Sequence, residues 1–149
     1  MQESLEPILR PAVDADLDLA YRVKKAAFKQ YVDQVWGWDE NHQRQRHIRD
    51  FRPSTVRIIT YLGDDVGWLD LRKHWRGLFL AAFYILPEYQ GRGIGSSVLQ
   101  QLLLEAETRK VPLKLGVLKV NTRARKLYEN FGFKVESETD THYMMTTSP

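Results

Sequence analysis

Apolar residues along this chain switch repeatedly between a period of two and a period near 3.6, and the switches mark its elements. Residues 5–10 read as a short strand stopped by Pro11. From Asp14 or Asp16, either able to cap a helix, apolar positions recur at Ala20, Val23, Ala27, Tyr31 and Val35, the spacing of one helical face. Residues 39–51 are polar and predict a second, weaker helix. Residues 55–62, rich in β-branched and aromatic side chains, and the alternating residues 66–72 read as a hairpin around Gly63-Asp64-Asp65. The run GLFLAAFYIL, residues 77–86, is apolar almost throughout, as a strand covered on both faces would be.

The clearest amphipathic helix follows, with Ile94, Val98, Leu102 and Ala106 on one stripe. Pro112 ends that region, and residues 113–120 predict another strand. Asn121 can cap a helix running to Asn130, Gly132 stops it, and residues 133–138 and 142–147 close the chain as strands. The predicted order is β-α-α-β-β-β-α-β-α-β-β: an α/β protein with a mixed sheet flanked by helices.

With 149 residues, 43% hydrophobic and 28% charged, the chain is the size of one domain with one sizeable core, so residues 1–149 are read as a single domain. The absence of cysteine excludes disulfides, thiolate metal sites and cysteine nucleophiles. The four histidines are scattered, and His42 and His47 do not stack on one helical face, so no metal site is expected. The N-terminus carries acids and a proline where a signal peptide needs a basic start, and no window approaches 18 apolar residues; a cytoplasmic protein with no membrane partner is expected. A net charge of +3 does not argue for nucleic acid, but Arg92, Arg109, Lys110, Lys114, Lys119, Arg123, Arg125 and Lys126 crowd the segment after residue 91. That crowd reads either as solvated faces or as a patch that meets a phosphorylated ligand. Edge strands leave room for a homodimer, which nothing in the sequence selects.

The stretch PEYQGRGIGSSVLQ, residues 87–100, holds the most chemistry. A strand, a glycine-rich turn and a helix put backbone N–H groups at a helix N-terminus, where phosphate binds. The glycines permit close approach and positive φ. A P-loop is excluded because no lysine follows Gly95. A dinucleotide fingerprint fails because Ser96 stands at the third glycine position and no acid ends the next strand.

Gln90-Gly91-Arg92-Gly93-Ile94-Gly95 resembles the Q/R-x-x-G-x-G/A signature of the GNAT superfamily, the acetyl-CoA-dependent N-acetyltransferases. Leu9-Arg10-Pro11-Ala12 with Asp16-Leu17, and Asn121 with Ala124, Tyr128, Gly132 and Phe133, resemble that family's opening and late segments, and the element order is similar over essentially the whole chain. The resemblance implies coenzyme A phosphates on the turn, at Gln90, Gly91, Arg92, Gly93, Ile94, Gly95 and Ser96, with Arg92 foremost among basic side chains. It implies a pantetheine arm beside the backbone of Tyr84, Ile85 and Leu86, a contact from Asn121, and Tyr128 as proton donor to the departing sulfur. The implied reaction moves an acetyl group from acetyl-CoA to a primary amine of a small molecule or peptide by direct attack. The alternative is a coenzyme A-binding module without catalysis.

Acetyl transfer requires a neutral nucleophile. At pH 7 deprotonation costs a lysine-like amine about 4.6 kcal/mol and an α-amine roughly 1 kcal/mol. Residues 77–86 carry no ionisable group before Tyr84, so either the substrate amine is already weakly basic or the base comes from elsewhere. Trp36-Gly37-Trp38-Asp39-Glu40 can form an aromatic wall with a carboxylate that attracts a cationic amine. Glu40 is the expected base or amine anchor; Trp36, Trp38 and Asp39 are expected to bind substrate. The plain alternative is that the tryptophans cover the core and Asp39 caps a helix. Trp68, Asp70 and His74 are second-rank candidates expected at the surface.

Overall fold

A computed structural model describes residues 6–148; Leu5, the predicted first residue of the opening strand, lies outside them. The elements follow the predicted order: β1 (Ile8–Pro11), α1 (Leu17–Val35), α2 (Glu40–Asp50), β2 (Val56–Tyr61), β3 (Asp64–His74), β4 (Gly77–Ile85), α3 (Ile94–Arg109), β5 (Leu113–Leu118), α4 (Thr122–Asn130), β6 (Lys134–Glu138) and β7 (His142–Thr146). The strands form one seven-stranded sheet, β1-β2-β3-β4-β5-β7-β6, in which only β4 and β5 pair in parallel.

Helices cover both faces. Leu69, Leu71, Leu80, Leu99, Leu102, Leu113, Leu115 and Met145 form the larger core beneath α3 and α4. Ala20 and Val23 of α1 pack on Val56, Ile58 and Trp68 on the opposite face. Residues 66–71 of β3 are therefore all buried rather than alternating, and this overturns the surface placement expected for Trp68 and Asp70. Trp68 Nε1 donates to the Ala20 carbonyl at 2.8 Å, tying β3 to α1.

Two local details differ from the sequence reading. Asp16 does not cap α1; its carboxylate takes the Arg10 guanidinium at 3.0 Å and the Val13 N–H at 2.8 Å. The β2–β3 turn is Leu62-Gly63, one residue earlier than expected, with φ of 50° and 87°, the left-handed pair that a two-residue hairpin needs.

Candidate active site

β4 and β5 pair only from Leu78↔Leu113 to Leu80↔Leu115. Against β3, Asp70 faces Ala82 while Leu71 faces Leu80, so Ala81 is an extra residue that bends β4 there. Beyond it the two strands part around a cavity of about 560 Å³, walled by residues 80–85 of β4 and 115–118 of β5. That opening explains why residues 82–85 are half-exposed although the segment reads as a buried strand.

Backbone polar groups of successive strand residues point to alternate edges. Leu86 donates its N–H to the Val66 carbonyl at 2.8 Å, and Leu86 and Tyr84 therefore face β3, leaving Phe83 and Ile85 to present theirs at the open edge. The Leu86 carbonyl accepts from the Tyr89 N–H at 2.9 Å, and Leu86 does not line the cavity. The expected backbone contact at Leu86 is corrected accordingly, and Phe83 takes its place. Tyr84 lines the cavity through its side chain, packed between Phe28 and Trp68.

At the end of the opening lies the glycine turn. Gly91 and Gly93 adopt φ of 77° and 82°, a region that side-chain-bearing residues avoid. The first bond of this helix end runs from the Ser97 N–H to the Gly93 carbonyl, so the N–H groups of Ile94, Gly95 and Ser96 have no partner within α3. Gly91, Gly93, Gly95 and Ser96 line the cavity, whereas the Ile94 side chain is buried in the core. Gln90 donates to the Ile85 carbonyl at 2.8 Å and accepts from Arg123 Nη1 at 3.3 Å. Arg123, reaching back from the first turn of α4, is thus the cation over the turn. Arg92 lies over the Tyr89 ring at 5.2 Å and does not line the cavity, which corrects its expected primacy.

The far wall comes from α4. Asn121 Oδ1 caps it, accepting from the Ala124 N–H at 3.1 Å, and the side chain also lines the cavity. Seven residues on, Tyr128 is buried against Phe133, with its ring lining the same cavity. Burial pushes its hydroxyl well above the ordinary tyrosine range, and the neighbouring Tyr84 adds to the effect.

A bent parallel opening, N–H groups at a helix start that have no partner within their helix, and a buried phenol thus share one cavity. The sequence profile of the Acetyltransferase (GNAT) family matches residues 21–133. The chain belongs to that family.

Similar proteins agree on the fold. A coenzyme A complex of the PaiA N-acetyltransferase from Thermoplasma acidophilum superimposes with a TM-score of 0.79 at 16% identity, covering 97% of this chain and 99% of that one. Arabidopsis thaliana Naa50, bound to the bisubstrate analogue CoA-Ac-MVNAL, gives 0.68 at 19% identity, covering 97% and 99%. An uncharacterized N-acetyltransferase from Archaeoglobus fulgidus is 26% identical over 80% of this chain and 88% of its own. Thialysine N-epsilon-acetyltransferase from Bos taurus is 35% identical over 69 residues, 44% of this chain and 41% of its own length. The protein is a GNAT acyltransferase that uses acetyl-CoA as co-substrate.

The residues at 36–40, expected to meet the acceptor, separate. Trp36, 61% exposed, lines the cavity beside the His142 ring, 6.2 Å between centroids. Trp38 does not line it; its Nε1 donates to Glu40 at 2.9 Å and its ring packs near Tyr21. Asp39 caps α2, accepting from the His42 N–H at 3.0 Å. Glu40 also lies outside the lining, held by Trp38, by Lys25 at 3.0 Å and by Arg44 at 2.9 Å. The hydrogen bonds from Trp38 and Lys25 pull its carboxyl down to about 2, so it is a weak base in the wrong place. His74 bonds the Arg76 N–H at the end of β3 and does not line the cavity.

The cavity instead gathers residues that the sequence reading did not single out: Lys24, Phe28, Arg46, His47, Arg72 and His142. Only the i, i+4 spacing of Lys24 and Phe28 on one face of α1 was visible in advance. His142 bonds Thr141 Oγ1 through Nδ1 at 2.8 Å, and burial lowers its pKa, so the imidazole is mostly neutral at pH 7. Asp70, 3% exposed, pairs with Arg72 at 3.1 Å; its Oδ1 has no hydrogen-bond partner among the described residues.

Proposed function

We propose that this enzyme transfers the acetyl group of acetyl-CoA to a primary amine of a small molecule or peptide by direct attack in a ternary complex. The observation that carries the reading is the single cavity joining the unpartnered N–H groups of α3, the open β4 edge and the Tyr128 phenol. Acetyl-CoA supplies the activated thioester. The N–H groups of Ile94, Gly95 and Ser96, with Arg123, meet its phosphates; Phe83 and Ile85 align its extended arm through backbone groups.

The amine enters from the α1–α2 side, past Trp36. As its nitrogen bonds to the carbonyl carbon, it sheds a proton, and we assign that proton to Nε2 of His142, which occupies the role expected of Glu40. The carbon–sulfur bond breaks with its electron pair on sulfur, and the Tyr128 hydroxyl donates a hydrogen bond to that developing charge. Complete proton transfer from an ordinary tyrosine to a thiolate is uphill by about 2 kcal/mol, and burial of Tyr128 makes it steeper. Relatives named for thialysine and for a peptide-like bisubstrate ligand support both acceptor classes.

The test is a free-thiol assay with acetyl-CoA and a panel of amines, amino acids and short peptides, followed by mass spectrometry. Thiol release coupled to a 42 Da gain on one amine class is expected, an increment that follows from replacing one N–H by an acetyl group; binding of acetyl-CoA without release for any amine would instead support the catalytically silent module.

A further inference from the structure

The ionised lining of the cavity is lopsided: Lys24, Arg46, Arg72 and Arg123 against Asp50 and Asp70. Arg123 belongs to the glycine turn through Gln90, and Arg72 is matched by Asp70 at 3.1 Å. What remains lies on the acceptor side, on facing helices. Lys24 of α1 is half-buried and has no ion pair within 4 Å among the described residues, while Arg46 of α2 has one long contact, 3.7 Å, to Asp50. Asp50 is already held by Arg49 at 3.0 Å.

Two cations that repel each other therefore share a cavity wall with less than one carboxylate between them. Burial, and then the charge of Arg46, lower the Lys24 pKa, so the unliganded arrangement is electrostatically unfavourable for Lys24. Such a pair is completed by an anion, and cations of this kind bind carboxylates through charge-assisted hydrogen bonds. Nearby surfaces set the rest of the ligand: Phe28 and Tyr84 offer an apolar wall with ring centroids 5.2 Å apart.

We infer that the acceptor is a small amine that also carries a carboxylate, bound by Lys24 and Arg46, and that polyamines are disfavoured. This rests on the acetyl-transfer reading above and narrows its substrate class. The same charge balance disfavours a polycationic acceptor: among the described residues, the acids of the lining, Asp50 and Asp70, are each already paired with an arginine.

Matched pairs differing by one carboxylate test it, with lysine against cadaverine and ornithine against putrescine, read as kcat/KM in the thiol assay. Wild type is expected to prefer the carboxylate-bearing member of a pair at least ~10-fold, the worth of one charge-assisted bond. Lys24→Met, which keeps the buried stem, and Arg46→Gln, on an exposed helix face, should each reduce that ratio at least ~5-fold, with Lys24→Arg restoring most of it. A ratio near one in wild type, a preference for the diamines, or variants that lower both members equally overturns the inference. So does acetyl-CoA binding with no thiol release from any carboxylate-bearing amine. Absence of acetyl-CoA binding would instead remove the acetyl-transfer reading on which it stands, and calorimetry on the same sample separates the two.

Discussion

Tyr128→Phe isolates one oxygen atom. The ring stays packed against Phe133, and among the described residues no group hydrogen-bonds the hydroxyl, so its removal leaves no buried partner stranded. Stability should change by less than about 1 kcal/mol, the scale of a hydrogen bond that is not made in the unliganded protein. The catalytic effect is larger. A hydrogen bond to a charged group in a dry site contributes about 1.5–3 kcal/mol, or about 10- to 150-fold in rate. Loss of a general acid typically costs about 10²-fold or more. The two ranges overlap near 10²-fold, which is the expected fall in kcat. Because burial raises the phenol's pKa, no alkaline loss of kcat below pH 10 should trace to Tyr128. The assay is thiol release at saturating substrates, with a melting curve and an acetyl-CoA titration on the same variant. Turnover within threefold of wild type, with binding intact, would refute the assignment; a fall confined to acetyl-CoA affinity would place the hydroxyl in ligand binding alone.

Glu40→Gln should leave the pH profile of kcat/KM in place, because Glu40 lies outside the cavity and is held by Trp38 and Lys25; an acid limb that moves by half a unit or more would restore it as the base. His142→Gln should lower kcat/KM by about 10²-fold and remove an acid limb lying below pH 6.5, read from initial rates between pH 5 and 8. Gly93→Ala forces a side-chain-bearing residue to φ near 82°, which costs about 1–2 kcal/mol and distorts the N–H ring; a melting temperature and acetyl-CoA affinity equal to wild type would contradict the cradle. Burial lowers the pKa of His47, whose Nε2 bonds the Leu17 carbonyl at 2.9 Å. The unfolded chain therefore binds the proton more readily. This contribution to stability is complete above pH 6.5 and is lost as pH falls toward the folded pKa, so His47→Gln should flatten the melting profile between pH 7 and 5.

What was legible in advance was local. Glycines 91 and 93 stand next to an apolar helical stripe, and only a turn of positive φ feeding a helix start satisfies both, so the cradle could be read from six residues. Asn121 could be read as a cap for the same reason, and its distance from Tyr128 follows from the helix period. The opening itself could not, since it depends on β4 and β5 pairing across residues 80 and 115 and then parting at an extra residue whose presence no period reveals. The burial of Trp68 and Asp70 depends on α1 crossing β3, a contact 48 residues apart in the case of Trp68 and Ala20. Arg123 and Arg92 are equal in sequence terms, and the choice between them is made by Gln90, 33 residues from Arg123. The acid at position 40 reads as a free base in the sequence because composition shows a carboxylate beside two indoles but not that Trp38 and Lys25 already hold it.

The central claim is that the α3 cradle and the open edge of β4 bind acetyl-CoA. Calorimetric titration of the purified protein with acetyl-CoA tests it most directly, repeated with Arg123→Ala. One site per chain in the micromolar range or tighter, weakened in the variant and weakened by added salt, is the predicted result. No heat of binding at millimolar acetyl-CoA from a folded sample would contradict the account at its base.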